Sequence, residues 1–333
     1  MITSYFERDT TTAKQPISTS RLPCIFLMGP TASGKTELAV NLVKHLPCDI
    51  ISVDSAMVYR GMDIGTAKPT ADILAQAPHR LIDIVDPAEK YSAGHFCQEA
   101  LAEIQAIHSA GRIPLLVGGT MLYFHSLQQG LSILPSADPQ VRQRLNQEAE
   151  QIGWSAMHQR LNEIDPPAAQ RIHPNDAQRI QRALEVYEVS GCTITAWYAK
   201  FVPQRWSYPI VKLVIAPTQR DVLHARIAQR FQTMLEKGLI DEVRGLYMRG
   251  DLNLDLPSMR CVGYRQVWHY LAGELDYERL PEKVIIATRQ LAKRQLTWLR
   301  AQADAHWFDT ERLNSAQVIL NFLKKVPMLS RNC

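Results

Sequence analysis

An apolar run, Cys24, Ile25, Phe26, Leu27 and Met28, leads into Gly29, Pro30, Thr31, Ala32, Ser33, Gly34, Lys35 and Thr36, and a helix-like segment follows over 36–45. Strand, glycine-rich loop and helix in that order carry the G-x-x-x-x-G-K-[ST] spacing of a phosphate-binding loop. Backbone N–H groups at a helix N-terminus face an anion, Lys35 adds a point charge, and the Thr36 hydroxyl is a ligand for Mg²⁺. The spacing calls for a diphosphate or triphosphate but does not say whose.

The rest of the chain allows a fold of matching class. Residues 49–53, 80–85 and 113–117 read as further buried strands; about 25 loop-like residues with Gly61, Gly65 and Pro69 as breakers follow the first, and a helix that Ser92 caps and Gly111 ends separates the other two. Strands alternating with helices predict an α/β fold, a P-loop NTPase-like parallel sheet flanked by helices. Ligands of such sheets bind beyond the carboxyl ends of the strands, where Gly29, Asp54 and the Gly118, Gly119, Thr120 run all fall.

From about residue 132 to 204 the pattern turns helical without strands. Asp138 and Pro139 start one helix with Val141, Leu145, Ala149 and Ile152 as its apolar stripe; Asn175 and Asp176 start another with Ile180, Leu184 and Tyr187 turned inward, ending at Gly191. This predicts an all-helical insertion over 132–204 within a core formed by 22–131 and 205–320. The core resumes with a strand at 211–215 and is helical from there to a short apolar piece at Trp307 and Phe308.

With 37 Lys plus Arg against 33 Asp plus Glu, the net charge of +4 names no partner, so basic surface has to be found locally. Six scattered cysteines without a C-x-x-C pair argue against a zinc site or disulfide framework and for a reducing, cytoplasmic setting. Residues 1–21 are polar, with no apolar signal-peptide core, and read as a disordered tail; no run of about 18 apolar residues suggests a membrane span.

Asp54 at the tip of the second strand fits a general base, a Mg²⁺ ligand or a cap for the following turn. Thr120 fits a helix cap or a hydroxyl aimed into the crevice. Arg226 and Arg230, four residues apart, share a helix face and could neutralise a departing phosphate or simply be solvated. Arg289, Lys293 and Arg300 fall within about 40° of one another on a helix, a basic stripe opposite a side containing Leu291. Two further cation-rich runs, 178–182 and 260–265, add glutamines and an aromatic suited to RNA phosphates and bases. A P-loop small-molecule kinase and a non-catalytic nucleotide-dependent RNA-binding module share several of these features.

Taken together, residues 29–36, 54–69, 118–123, 260–265 and 293–300 closely resemble the bacterial tRNA dimethylallyltransferases over about 23–308. The resemblance implies a loop that holds the diphosphate of dimethylallyl diphosphate rather than ATP, with Mg²⁺. It implies transfer of the five-carbon group to N6 of the adenosine at position 37 in tRNAs reading U-initial codons. On it, Asp54 is the general base, Thr120 and Arg226 are diphosphate contacts, and Lys35 and Thr36 keep their loop roles. Asp54, Ser55, Ala56, Met57, Thr120, Arg142, Gln178, Arg179, Ile180, Gln181 and Arg182 lie where the family touches tRNA. So do Arg260, Cys261, Val262, Gly263, Tyr264 and Arg265, and Lys293, Arg294, Gln295, Leu296, Thr297, Trp298, Leu299 and Arg300. The expected protein is a cytoplasmic monomer whose partners are the tRNA anticodon stem-loop and dimethylallyl diphosphate, with no membrane association. Residues before 21 lie outside the resemblance.

Overall fold

The computed structural model describes residues 22–130, 134–200, 206–311, 315–327 and 329. The tail expected at 1–21, and the expected insertion boundaries at 131–132 and 204–205, involve residues outside them. The chain divides into two compact units, 1–124 with 207–333, and 125–206.

The first unit is built on a six-stranded parallel sheet in the order β3-β2-β4-β1-β5-β6. The strands are β1 (Cys24–Met28), β2 (Cys48–Val53), β3 (His79–Arg80), β4 (Ile113–Gly118), β5 (Ile210–Ala216) and β6 (His306–Asp309). Every residue of β1 and β4 is buried, as expected of central strands covered on both faces, which is why they read as unbroken apolar runs. The helices are α1 (Lys35–His45), α2 (Ala71–Gln76), α3 (Ala93–Ser109), α4 (Met121–Gln129), α5 (Pro139–Ile164), α6 (Pro166–Arg171), α7 (Ala177–Ser190), α8 (Ile194–Lys200), α9 (Arg220–Glu236), α10 (Leu239–Tyr247), α11 (Tyr264–Leu271), α12 (Leu280–Arg300) and α13 (Ser315–Lys325). One core packs α1 and α13 against one face of the sheet, with Leu42, Ile50, Leu213 and Leu323 fully buried.

The strand expected at 80–85 is cut to two residues. Only His79 and Arg80 pair with β2; Leu81 and Asp83 take positive φ (61° and 57°), a conformation that ends an extended run. The remainder pairs locally instead, Val85 bridging Tyr59 while the Arg60 N–H donates to the Val85 carbonyl at 2.9 Å. Within the long connection after β2, residues 71–76 form α2 rather than loop.

The second unit holds α5 to α8 around Leu145, Met157, Leu161, Ile180 and Leu184. Asp138 caps α5, accepting from the N–H groups of Gln140 and Val141, and Asp176 caps α7 at Arg179. Two expected core positions are exposed: Ile152 at 51% and Tyr187 at 37%. Ile152 directly precedes Gly153, whose φ of 81° and ψ of 154° break the helical path. The stripe therefore does not run through one straight cylinder. Among the described residues no helix is long and apolar enough to cross a membrane.

Candidate active site

β1 ends in the phosphate loop, and Gly34 adopts φ 87° at the N-terminus of α1, a left-handed conformation that costs glycine little. Next to it, β4 ends at Gly118, where an added Cβ would lie 2.0 Å from the Val53 carbonyl. This close approach holds Asp54, at the tip of β2, beside the Gly118, Gly119, Thr120 turn. The Thr120 N–H donates to the Val53 carbonyl at 3.2 Å, and its Oγ1 accepts from the Ser55 N–H at 3.1 Å. The two strand tips are thus laced together.

Asp54 accepts hydrogen bonds at Oδ1 from the N–H groups of Ala56 (2.9 Å) and Met57 (3.3 Å), so one carboxylate oxygen caps the turn that follows. Turn cap and crevice-facing charge coexist in one residue: Asp54 also acts electrostatically on Lys35, Arg230 and Cys261. Lys35 bends back under the loop, donating to the carbonyls of Gly29 (2.9 Å) and Pro30 (2.7 Å). Burial, aided by the Arg230 charge and opposed by Asp54, pushes its ammonium down to about 7. Burial likewise lowers the Arg230 guanidinium, again with Asp54 opposing. Arg230 donates to the Thr66 carbonyl at 3.2 Å.

These contacts distinguish the two arginines that helical spacing leaves equivalent. Arg226, expected at the diphosphate, instead donates to Oγ1 of Thr310 at 3.0 Å, just after β6. The guanidinium whose charge bears on Lys35 and Asp54 belongs to Arg230. Four residues span about 400° of helix, so the pair sit one above the other, and only the packing of α9 decides which reaches the loop.

The segments expected to touch RNA are sorted by the structure into exposed and committed side chains. Gln178 is exposed, Arg179 is exposed but donates to Oδ2 of Asp176 at 2.5 Å, and Ile180 is fully buried in the helical core. Arg142 (2.8 and 3.1 Å) and Arg182 (2.7 Å) both donate to the fully buried carboxylate of Glu185, and Gln181 donates to Oδ1 of Asn146 at 2.6 Å. Burial alone would raise the Glu185 pKa; the hydrogen bonds from Arg142, Arg182 and the Asp138 N–H outweigh it and hold the carboxyl below its usual range.

In the run 260–265, Arg265 is exposed, Arg260 is exposed but donates to the Leu254 carbonyl and to Asp255 (3.2 Å each), and Tyr264 is fully buried and donates to Glu242. Glu242 in turn accepts from the N–H groups of Asp63 (2.9 Å), Ile64 (2.7 Å) and Gly65 (3.1 Å), anchoring the loop after Asp54 to α10. Cys261 is half-buried and burial pushes its thiol up to about 12, so it is an inert side chain here. Sequence reading had no signal for Glu242, whose three N–H partners are nearly 180 residues away in the chain.

On α12, Leu299 is fully buried, while Lys293, Arg294, Thr297, Trp298 and Arg300 are exposed to differing degrees. Arg289, Lys293 and Arg300 line one concave wall together with Ala292 and Leu296, around a cavity of about 590 Å³. The basic stripe is real, but it walls a hollow floored by apolar side chains. Ala292, not Leu291, packs into the buried cluster with Leu223 and Ile227. Gln295 turns the other way, toward the phosphate loop.

A parallel sheet whose phosphate loop, Asp54 and Lys35 meet at the strand tips defines a P-loop-like α/β protein. The IPP transferase family model matches residues 57–302. A tRNA dimethylallyltransferase from Thioalkalivibrio sulfidiphilus is 59% identical over 305 residues, covering 92% of this chain and 94% of that protein. The crystal structure of the tRNA isopentenylpyrophosphate transferase from Bacillus halodurans is 38% identical, with a TM-score of 0.68, covering 94% of this chain and 98% of that one. A eukaryotic dimethylallyltransferase acting on tRNA, 24% identical over 92% of this chain and 79% of its own, shares the fold with a TM-score of 0.78. The chain belongs to the IPP transferase family.

Proposed function

We propose that this family member transfers the dimethylallyl group of dimethylallyl diphosphate to N6 of the adenosine at position 37, 3′ of the anticodon, in tRNAs reading U-initial codons. Diphosphate is the other product. The observation that carries the reading is the burial of the Lys35 and Arg230 cations, each bonded to backbone carbonyls, within electrostatic reach of the Asp54 carboxylate.

Breaking an allylic C–O bond delivers its electron pair to the leaving diphosphate, whose charge grows in the transition state. Lys35, Arg230 and the N–H groups at the start of α1 are preorganised cations and donors for that charge. The adenine amine forms the new C–N bond at C1 of the allyl group and loses a proton to Asp54. That amine is a weak nucleophile, so holding both substrates in line supplies much of the rate. The adenine leaves its stack in the loop to enter the crevice.

Among the described residues no cluster of three or more His, Cys, Asp or Glu side chains is arranged as a metal cage. The Thr36 hydroxyl, in the first turn of α1, would be the protein ligand for Mg²⁺, which bound there would neutralise phosphate charge. Arg179, Arg260, Arg265, Lys293 and Arg300 are the exposed cations that would meet the anticodon stem-loop, the protein acting as a cytoplasmic monomer.

The test is mass spectrometry of nucleosides from bulk tRNA incubated with the protein, dimethylallyl diphosphate and Mg²⁺. N6-isopentenyladenosine at one position, in tRNAs for U-initial codons alone, is the expected product. Unmodified tRNA, or modification at another base, would overturn the assignment.

A further inference from the structure

Gln295 lies in the middle of α12, in the segment assigned to RNA by resemblance, yet its side chain faces inward and ties two loops together. Its Oε1 accepts from the Thr31 N–H of the phosphate loop at 2.9 Å, and its Nε2 donates to the Gly119 carbonyl at 2.9 Å. The two partners dictate the orientation of the amide, since an N–H must meet its oxygen and a carbonyl its nitrogen. Gly119 precedes Thr120, whose hydroxyl holds Ser55 beside Asp54. One side chain therefore links the diphosphate loop, the turn after β4 and, through it, the proposed base. The fit is close: a Cβ on Gly119 would come within 2.5 Å of Nε2.

We propose that Gln295 is a positioning residue for prenyl transfer, a strut that sets the spacing between the phosphate loop and the Gly119 turn. The proposal rests on the transfer reaction given above and deepens it. In-line attack requires the leaving group and the base to be held at a definite separation, and an error of about 1 Å in such an arrangement costs on the order of 10²-fold in rate. Gln295 touches neither diphosphate oxygen nor adenine in this role. It acts through Thr31 and Gly119.

The experiment measures single-turnover transfer with saturating substrates, and tRNA affinity separately, for full-length Gln295→Ala, Gln295→Glu, Gly119→Ala and the Gln295→Ala/Gly119→Ala pair, each checked for an unchanged melting curve. Gln295→Ala should lower the rate by about 10- to 100-fold while tRNA affinity stays within about threefold. Gln295→Glu keeps the acceptor for Thr31 but loses the donor to Gly119, and should fall between. Gly119→Ala alone should slow transfer by striking the amide, and should add little once that amide is gone, a non-additivity that a contact with RNA would not produce. An unchanged rate in Gln295→Ala, a loss of tRNA affinity that parallels the rate, or effects that simply multiply in the double variant would each overturn the strut. Should Gln295→Ala fail to fold, the rates of Gln295→Glu and Gly119→Ala decide the matter. Absence of transfer by the unaltered chain refutes the reaction rather than the strut, which then stands or falls on whether Gln295→Glu weakens the binding of inorganic diphosphate.

Discussion

The catalytic unit and the helical unit each hold a pair of half-buried cations, and the two pairs are satisfied in opposite ways. In the helical unit Arg142 and Arg182 converge on the buried Glu185, which also accepts from the Asp138 N–H. In the catalytic unit Lys35 and Arg230 donate to backbone carbonyls, share only the nearby charge of Asp54, and are both pushed toward deprotonation by burial. A cation neutralised from within is part of the scaffold. One left short of negative charge at the mouth of a phosphate loop gains most when an anion arrives.

Removing the base should have the largest effect. Asp54→Ala is expected to fold and to lose about 10²- to 10⁴-fold in single-turnover transfer with tRNA affinity changed far less; near-normal turnover would leave Asp54 a turn cap only. Next comes Glu185, where Glu185→Ala strands two guanidinium groups. Breaking such a pair costs roughly 3–5 kcal/mol, toward the lower end here because both arginines are partly exposed, and thermal unfolding reads it. Since the Glu185 pKa lies below its unfolded value, this stability is present above the ordinary carboxylate range and lost as pH falls through the folded value. A melting temperature that does not move in Glu185→Ala would erase the contrast between the two pairs.

Arg230→Ala should slow transfer by about 10²-fold, the usual cost of one preorganised donor to developing charge, while Arg226→Ala, which loses a bond to Thr310, should cost much less. The reverse ranking would restore Arg226 to the diphosphate. The smallest effect is a pH slope. The free protein loses the Lys35 proton near pH 7, and the diphosphate binds the ammonium form, so binding draws a proton back. Affinity for dimethylallyl diphosphate, followed by calorimetry from pH 7 to 9, should fall by up to about tenfold per unit, and the slope should be absent in Lys35→Met.

Much of the architecture is legible along the chain because its signals are local. β1 and β4 read as strands since they carry no charged residue, β5 since Lys212 is its one interruption, and the caps Ser92, Asp138 and Asp176 act on N–H groups within three residues. The failures come where local signals meet backbone geometry. The apolar run after Arg80 looks like a strand, but positive φ at Leu81 and Asp83 turns it toward Tyr59 instead. Ile152 fits the stripe of α5 by period and is exposed ahead of the break at Gly153.

The strand, glycine-rich loop and helix over 24–45, and the places of Asp54 and Thr120 just beyond the ends of β2 and β4, are legible in the chain alone because each depends on neighbours a few positions away. Packing of the folded chain brings Arg230 rather than Arg226 to bear on Lys35, spends Arg142, Arg182 and Tyr264 on internal carboxylates, and sets Gln295 between Thr31 and Gly119. Those choices turn on a helix's rotation about its axis and on hydrogen bonds spanning as many as 264 residues. Helical periodicity names the residues sharing a face, but the partner opposite that face is set by packing.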